Sequence, residues 1–360
     1  MATERLISPN AMPGEDRVNW ALRPETLGDY VGQHDLVQRL SIAVQAAKVR
    51  TARGNPRVDD TRDPVPTEPL EHILLHGPPG LGKTTLAHVV AAELGASVHV
   101  TSGPALARGT DLVSCLTRLR AGDVLFIDEI HRLPAQVEEF IYPAMEDFRV
   151  DVCLDTGLNA RTVQIRCEPF TLIGATTRAG LLTAPLRSRF GLTHHLRYYE
   201  TSELTDILTR SAVLLGLDRC EPGSLQRIAT RSRGTPRIAN RLLRRVRDFA
   251  DVKAAGRFAL GVVDDALTLE GIDALGLDDL DRAYMRTIAR IYSGGPVGLE
   301  TVAATMNEDA GTLEDVVEPY LLQIGFLART RRGRTLTPAG ADHIGEQLPP
   351  PGATADTTLF

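Results

Sequence analysis

The stretch His72–Gly95, "HILLHGPPGLGKTTLAHVVAAELG", carries the strongest pattern in the chain. The apolar run Ile73–Leu75 has the length of a buried strand. Gly77 to Thr84 satisfies G-x-x-x-x-G-K-[ST], and a helical run opens on Thr84 and Thr85. Each part has a physical purpose. The glycines let backbone N–H groups turn inward onto phosphate oxygens, and the helix N-terminus adds partial positive charge. Lys83 is a compact cation for the β- and γ-phosphates, and Thr84 offers a hydroxyl to Mg²⁺. A strand, a Gly-rich turn and a helix in this order predict one unit of a parallel α/β sheet that binds nucleoside triphosphate.

Further strands with the same character lie downstream. "VLFIDEIH" at 124–131 is a four-residue apolar run ending in Asp128 and Glu129. Asp128 suits the shell of the metal and Glu129 suits polarising the attacking water. "TLIGATTRAG" at 171–180 ends in Thr176 and Thr177, whose hydroxyls suit the γ-phosphate or the water. His131 is read as structural or surface. "PLRSRFG" at 185–191 follows with Arg187 and Arg189. P-loop enzymes use an arginine, from the same chain or a neighbour, to neutralise charge in the transition state. Spacing alone leaves open which arginine acts and on which chain. Apolar runs alternating with helical stretches from 70 to 199 predict a mainly parallel sheet with helices on both faces.

Outside this core the pattern changes. Residues 51–69, "TARGNPRVDDTRDPVPTEP", have almost no large apolar residue and read as a flexible insertion. Residues 201–271 read as wholly helical. "TPRIANRLLRRVRDFADV" puts Ile238, Leu242, Leu243, Val246, Phe249 and Ala250 on one face, with Pro236 in the first turn. Helical stretches at 278–292, 299–306 and 312–324 precede "GFLARTRRGRTLTPAGADHI", which reads as two short strands around Arg-Gly. Three helices and a basic hairpin predict a winged-helix module. The tail after 346 reads as disordered.

The chain of 360 residues carries a net charge of −6, with 24% charged residues. That balance points to no nucleic-acid partner by itself, so any DNA contact must rest on a local patch such as "RTRRGR" at 329–334. No apolar run is long enough for a bilayer. The N-terminus lacks a signal-peptide core. Four scattered cysteines without a C-x-x-C read as reduced thiols, which predicts a cytoplasmic protein.

The motif order resembles AAA+ ATPases, and longer stretches resemble the RuvB family, motors of Holliday-junction branch migration. These stretches are "LRPETLGDYVGQ" at 22–33, "DVLFIDEIHRL" at 123–133, "YPAMEDF" at 142–148, "FTLIGATTRAGLLTAPLRSRFG" at 170–191, "RGTPRIANRLLRRVRDFA" at 233–250 and "GGPVGLETVAA" at 294–304. The resemblance covers roughly residues 5–345. It implies a large AAA+ domain over 1–199, a small helical lid over 200–271, a winged-helix head over 272–346 and a tail over 347–360.

It also implies roles. Leu22 and Arg23 would flank adenine and ribose. Gly80, Lys83, Thr84 and Thr85 would hold the phosphates of ATP, with Thr84 and Asp128 on Mg²⁺. Glu146, Asp147 and Phe148 would line the nucleotide site, Thr177 would be the sensor, and Tyr199 and Arg237 would approach from the lid side. Arg189 would be the finger, acting on the next subunit of a homohexamer, with Arg187 supporting. Arg329 and Arg334 would contact double-stranded DNA. The segment 150–167, "VDVCLDTGLNARTVQIRC", would be a hairpin docking the RuvA partner, with Val152, Leu154 and Leu158 as its apolar positions, in a complex that also engages a RuvC-type resolvase. The insertion at 51–69 is longer than the family's pattern. Two other readings share the ATPase motifs: a clamp-loader-type ATPase, which would carry a helical collar in place of a winged helix, and a slow ATP-gated DNA-binding regulator, against which Glu129 and Arg189 argue.

Overall fold

A computed structural model describes residues 20–53, 69–153, 162–217 and 220–349. These residues divide into two compact units, one running through Leu215 and including Thr235–Arg237, the other formed by Gly216–Gly234 and Ile238 onward.

The first unit is built on a five-stranded sheet in the order β2-β3-β6-β1-β7. Its strands are β1 (Ile73–His76), β2 (Val98–Ser102), β3 (Val124–Asp128), β6 (Thr171–Thr176) and β7 (Leu192–His195). All neighbouring pairs are parallel, as expected for strands joined by helical crossovers. The helices are α1 (His34–Arg53), α2 (Lys83–Leu94), α3 (Gly109–Leu116), α4 (Ala135–Asp147), α5 (Ala184–Ser188) and α6 (Thr201–Leu214). Leu74, Leu125, Ile127 and Leu172 of the central strands are buried among Leu112, Leu116, Val137 and Ile141 of α3 and α4.

The central strands β1, β3 and β6 are those visible as apolar runs. The edge strands β2, "VHVTS", and β7, "LTHH", carry no such run: β2 is only half-buried throughout, and β7 buries only His194. In the segment expected as a hairpin at 150–167, β4 (Arg149–Cys153) and β5 (Thr162–Arg166) form a separate antiparallel pair rather than an extension of the main sheet. Its connecting positions Leu154 and Leu158 lie outside the described residues, as does the central part of the 51–69 segment, since α1 runs on to Arg53.

The second unit holds α7 (Ser224–Thr230), most of α8 (Pro236–Lys253) and α9 (Leu260–Leu269), followed by α10 (Asp279–Ile291) and α11 (Leu299–Met306). A helical turn at Ala310–Thr312 passes through a π-helical turn, Leu313–Val317, into α12 (Glu318–Gln323). Then come β8 (Leu327–Thr330), β9 (Gly333–Leu336) and α13 (Pro338–His343). Tyr284, Ile288, Val302, Leu321 and Leu336 form a core of their own. This is the expected winged helix, with α13 added. The first lid helix, α6, clusters with the sheet unit, whereas the sequence pattern groups it with the helices after it.

Within the second unit Arg233 is buried and held at a positive φ of 53°. It donates to Gly276 O at 2.7 Å, and its Nη2 lies 2.8 Å from Asp278 and 2.6 Å from Asp281. The Arg233 side chain and the Asp281 carboxylate are almost fully buried. Asp278 also caps α10 through Leu280 N and Asp281 N.

Candidate functional site

The Gly-rich loop leaves β1 at its C-terminal end, where Gly77 N donates to Thr176 O of the neighbouring strand. Gly80 and Gly82 sit at φ 79° and 96°. A Cβ on Gly82 would lie 2.8 Å from the Tyr30 hydroxyl, and one on Gly80 would lie 3.2 Å from the Arg237 Cβ, so both positions require glycine. Lys83 opens α2 and is buried, donating from Nζ to Gly77 O at 2.8 Å and Pro78 O at 2.9 Å. Burial lowers its pKa, against the opposing pull of Asp128 and Glu129. Thr84 and Thr85 follow in the first turn, which carries no acidic residue, so the helix N-terminus faces an incoming anion unopposed.

Asp128 ends β3, one strand removed from β1. Burial raises its pKa, opposed by the hydrogen bond that Glu129 N donates to its Oδ1 at 3.0 Å, and the adjacent Glu129 carboxylate adds to the rise. A carboxylate held reluctantly charged is stabilised by a cation. The Thr84 hydroxyl and the Asp128 carboxylate are hard oxygen donors of the kind Mg²⁺ takes. Among the described residues no group of three His, Cys, Asp or Glu gathers as a metal site in its own right. Mg²⁺ on these two would therefore complete its shell with phosphate oxygens and water.

Glu129 adopts a left-handed backbone, φ 46°, uncommon outside glycine and asparagine. Its Oε2 accepts from Thr177 Oγ1 at 3.3 Å and lies 3.1 Å from His131 Nδ1. His131 Nδ1 is also 2.9 Å from Thr176 Oγ1. The ends of β3 and β6 thus gather Asp128, Glu129, Thr176 and Thr177 as expected. They also add His131, read from sequence as structural or surface, which packs directly on the carboxylate. Its position in "DEIH", two residues past Glu129, is the signal that was available.

The two arginines of "PLRSRFG" face opposite ways. Arg187 Nη2 donates to Ala179 O at 2.7 Å, in the loop leaving the C-terminal end of β6. Its charge also helps depress the pKa of His76 at the end of β1, after burial and His195. Arg189 Nε lies 3.1 Å from Glu146 Oε1, its Nη1 donates to Pro185 O, and its guanidinium stacks 4.3 Å from the Tyr142 ring.

This second group belongs to the opposite end of the strands. Met145 O is bonded to His72, which precedes β1, and Phe148 packs edge-on against Phe170, which precedes β6. Glu146, Asp147, Phe148 and Arg189 therefore sit together near the N-terminal ends of the strands. The P-loop leaves their C-terminal ends, a strand length of about 13 Å away at ~3.3 Å per residue. The structure does not bring these four to the chain's own Lys83.

Leu22 is buried, and its carbonyl accepts from Arg210 Nη2 at 2.6 Å. Arg23 stacks over Trp20, whose ring meets His88 of α2 edge-on. Burial, and secondarily Arg23, depress the His88 pKa to about 4. Tyr199 is buried, donating to Tyr30 and to Leu81 O of the P-loop, and burial pushes its pKa well up. Arg237 N donates to Gly80 O at 3.4 Å. Tyr199 and Arg237 thus both reach the P-loop.

Arg329 and Arg334 face each other across β8 and β9. Both guanidiniums are held by the buried carboxylate of Glu318. Arg331 and Arg332 are exposed at the turn. The two strands and their basic turn form a wing, which the clamp-loader reading does not accommodate.

The comparisons with known proteins follow the same divisions. The family model described as "Holliday junction DNA helicase RuvB P-loop domain" matches residues 22–196, the RuvB AAA lid domain matches 199–273, and the RuvB C-terminal winged helix domain matches 274–345. The Holliday junction branch migration complex subunit RuvB of Desulfosudis oleivorans is 52% identical over 328 residues, covering 91% of each chain. The structure of the Thermotoga maritima RuvB branch migration motor is 47% identical with a TM-score of 0.79, covering 91% of this chain and all of that one. A point variant of the same protein gives 48% and 0.80. With a P-loop domain, a lid and a winged-helix head in the family's order, the chain belongs to the RuvB family of AAA+ ATP-hydrolysing Holliday junction helicases.

Proposed function

We propose that this protein is an ATP-driven DNA translocase, working as a homohexameric ring that draws duplex arms through its centre while a RuvA partner holds the junction, in recombination and repair. The observation that carries the ring is the opposed placement of Lys83 and Arg189. A chain whose finger lies a strand length from its own P-loop uses that finger on the P-loop of a neighbour. The pairing of Arg189 with Glu146, beside Asp147 and Phe148, supports the same conclusion, because all four then line the neighbour's nucleotide.

In this reading Leu22 and Arg23 flank the adenine and ribose, and Tyr199 fixes the P-loop from behind. Lys83 turns from its two carbonyls to the β- and γ-phosphates, and the N–H groups around Gly80, Thr84 and Thr85 bind phosphate oxygens. Thr84 and Asp128 would hold Mg²⁺, which would supply charge neutralisation at the phosphates. Glu129 takes the proton of the attacking water, with Thr177 and His131 fixing its carboxylate. Arg189 from the next subunit stabilises the charge that develops on the γ-phosphate. Arg237 reads the nucleotide at the start of α8, and Arg329 and Arg334 contact the DNA backbone. The β4–β5 hairpin docks RuvA, and a RuvC-type resolvase acts on the same junction. Among the described residues no helix is long and apolar enough to cross a membrane. The protein would act on DNA in the cytoplasm.

The deciding experiment is dissociation of a synthetic four-way junction with ATP, with and without RuvA. Strand separation that needs ATP and is strongly stimulated by RuvA is expected. ATP hydrolysis without strand separation under both conditions would refute a branch-migration role.

A further inference from the structure

The sheet of the wing contains an electrostatic problem. Arg329 and Arg334 are cross-strand partners on β8 and β9, so two like charges stand side by side, an arrangement that destabilises a hairpin. The solution comes from α12. Glu318 is fully buried, and its Oε2 accepts from Arg329 Nε at 2.8 Å and from Arg329 Nη2. Its Oε1 accepts from Arg334 Nε at 2.9 Å and from the buried Tyr284 hydroxyl at 2.6 Å. The more exposed Glu314 stands 3.6 and 3.8 Å from the same two guanidiniums. The π-helical turn Leu313–Val317 immediately precedes Glu318, and such turns re-aim the residues around them, frequently at functional sites.

We propose that Glu318 is the positioning residue of the wing: it holds Arg329 and Arg334 by their inner edges, side by side, so that their remaining N–H groups form one preset donor surface for a DNA phosphate. The inference rests on the reading that these two arginines contact DNA. A buried carboxylate is kept only where its partners are fixed around it, and here one carboxylate fixes both. Arginine is suited to this double role, because its planar fork can give one edge to Glu318 and keep another for phosphate, which lysine cannot do.

The sign of one substitution separates positioning from simple charge. E318Q removes a negative charge close to the expected phosphate. If charge alone mattered, duplex binding would tighten, because DNA affinity grows with the protein's local positive charge. Positioning requires the opposite.

The test is titration of the full chain with a fluorescein-labelled duplex at several salt concentrations, read by anisotropy. E318Q should bind about tenfold more weakly, the scale of one misplaced charge-assisted contact. In an R329A/R334A background the further effect of E318Q should vanish. Tighter or unchanged binding by E318Q would overturn the proposal, and so would an equal loss in both backgrounds, which marks a general structural defect. R329K/R334K supplies a second measurement if E318Q does not fold. It keeps both charges but loses the fork, so it too should bind about tenfold more weakly. Retained affinity in that variant would overturn the proposal. Should R329A/R334A itself leave affinity and salt slope at wild-type values, the DNA-contact reading fails and takes this inference with it. Failure of E318Q and R329K/R334K alone would leave that reading standing.

Discussion

Arg189→Ala gives the sharpest test of action between subunits, because the structure fixes how large a same-chain effect can be. Arg189 sits by Glu146 at the N-terminal end of the strands, and the P-loop lies about 13 Å away along β1 at ~3.3 Å per residue. At that distance, with an effective dielectric of about 20, one charge acts on another with ~1.3 kcal/mol, or about tenfold in rate. A finger in direct contact with the transferring phosphate is worth about 10³–10⁵-fold. Loss of the partly exposed Arg189–Glu146 pair should cost less than ~1 kcal/mol of stability, so the variant should fold and still bind ATP.

The assay is steady-state ATP hydrolysis by R189A, by K83A, and by the two mixed in equal amounts, with ring composition checked by native mass spectrometry. Each variant alone should be nearly inactive. In mixed rings about one interface in four joins an intact P-loop to an intact finger, so up to roughly a quarter of wild-type activity should return where interfaces fire independently. A loss of tenfold or less in R189A alone would refute the finger. A cysteine at position 189 that crosslinks to a nucleotide analogue only on its own chain would refute action across the boundary.

E129Q keeps size but removes the carboxylate that Thr177 and His131 hold, so it should bind ATP normally and hydrolyse it at least about 10²-fold more slowly, measured by equilibrium binding and single-turnover kinetics. R329A/R334A should lower the log–log salt slope of duplex binding by about two while leaving ATPase without DNA unchanged. Arg233→Ala strands the buried carboxylate of Asp281 and should cost about 3–5 kcal/mol in urea unfolding monitored on the lid and head helices, whereas a cost below ~1 kcal/mol would mean the cluster relaxes freely. His88 has a folded pKa of about 4 against an ordinary 6.5, so the unfolded chain takes up its proton first on acidification. Stability from this group is complete above pH 6.5 and is lost as pH falls towards 4. His88→Gln should therefore flatten the melting-temperature profile across that window, and an unchanged slope would refute the assignment.

Features specified by local chemistry were legible along the chain. A P-loop carries its function in consecutive residues, so Gly77–Thr85 announced strand, turn, helix and ligand class together. The apolar runs of β1, β3 and β6 were legible because central parallel strands are buried on both faces, and the periodicity of α8 was legible because one face packs. The edge strands β2 and β7 escaped, since a strand covered on fewer sides needs no apolar run. The remaining features depend on contacts between distant parts of the chain. "PLRSRFG" could not reveal which arginine faces which end of the strands, because that depends on α5 carrying Arg187 towards the end of β6 and Arg189 down to Glu146 at the end of α4, far earlier in the chain. His131 read as surface until the ends of β3 and β6 placed its ring against Glu129. "RTRRGR" read as a run of charges for phosphate, yet only the folded head brings Glu318 of α12 beneath Arg329 and Arg334. Backbone propensity and burial are written along the chain; the partner of a charge is set by which distant elements the core packs together.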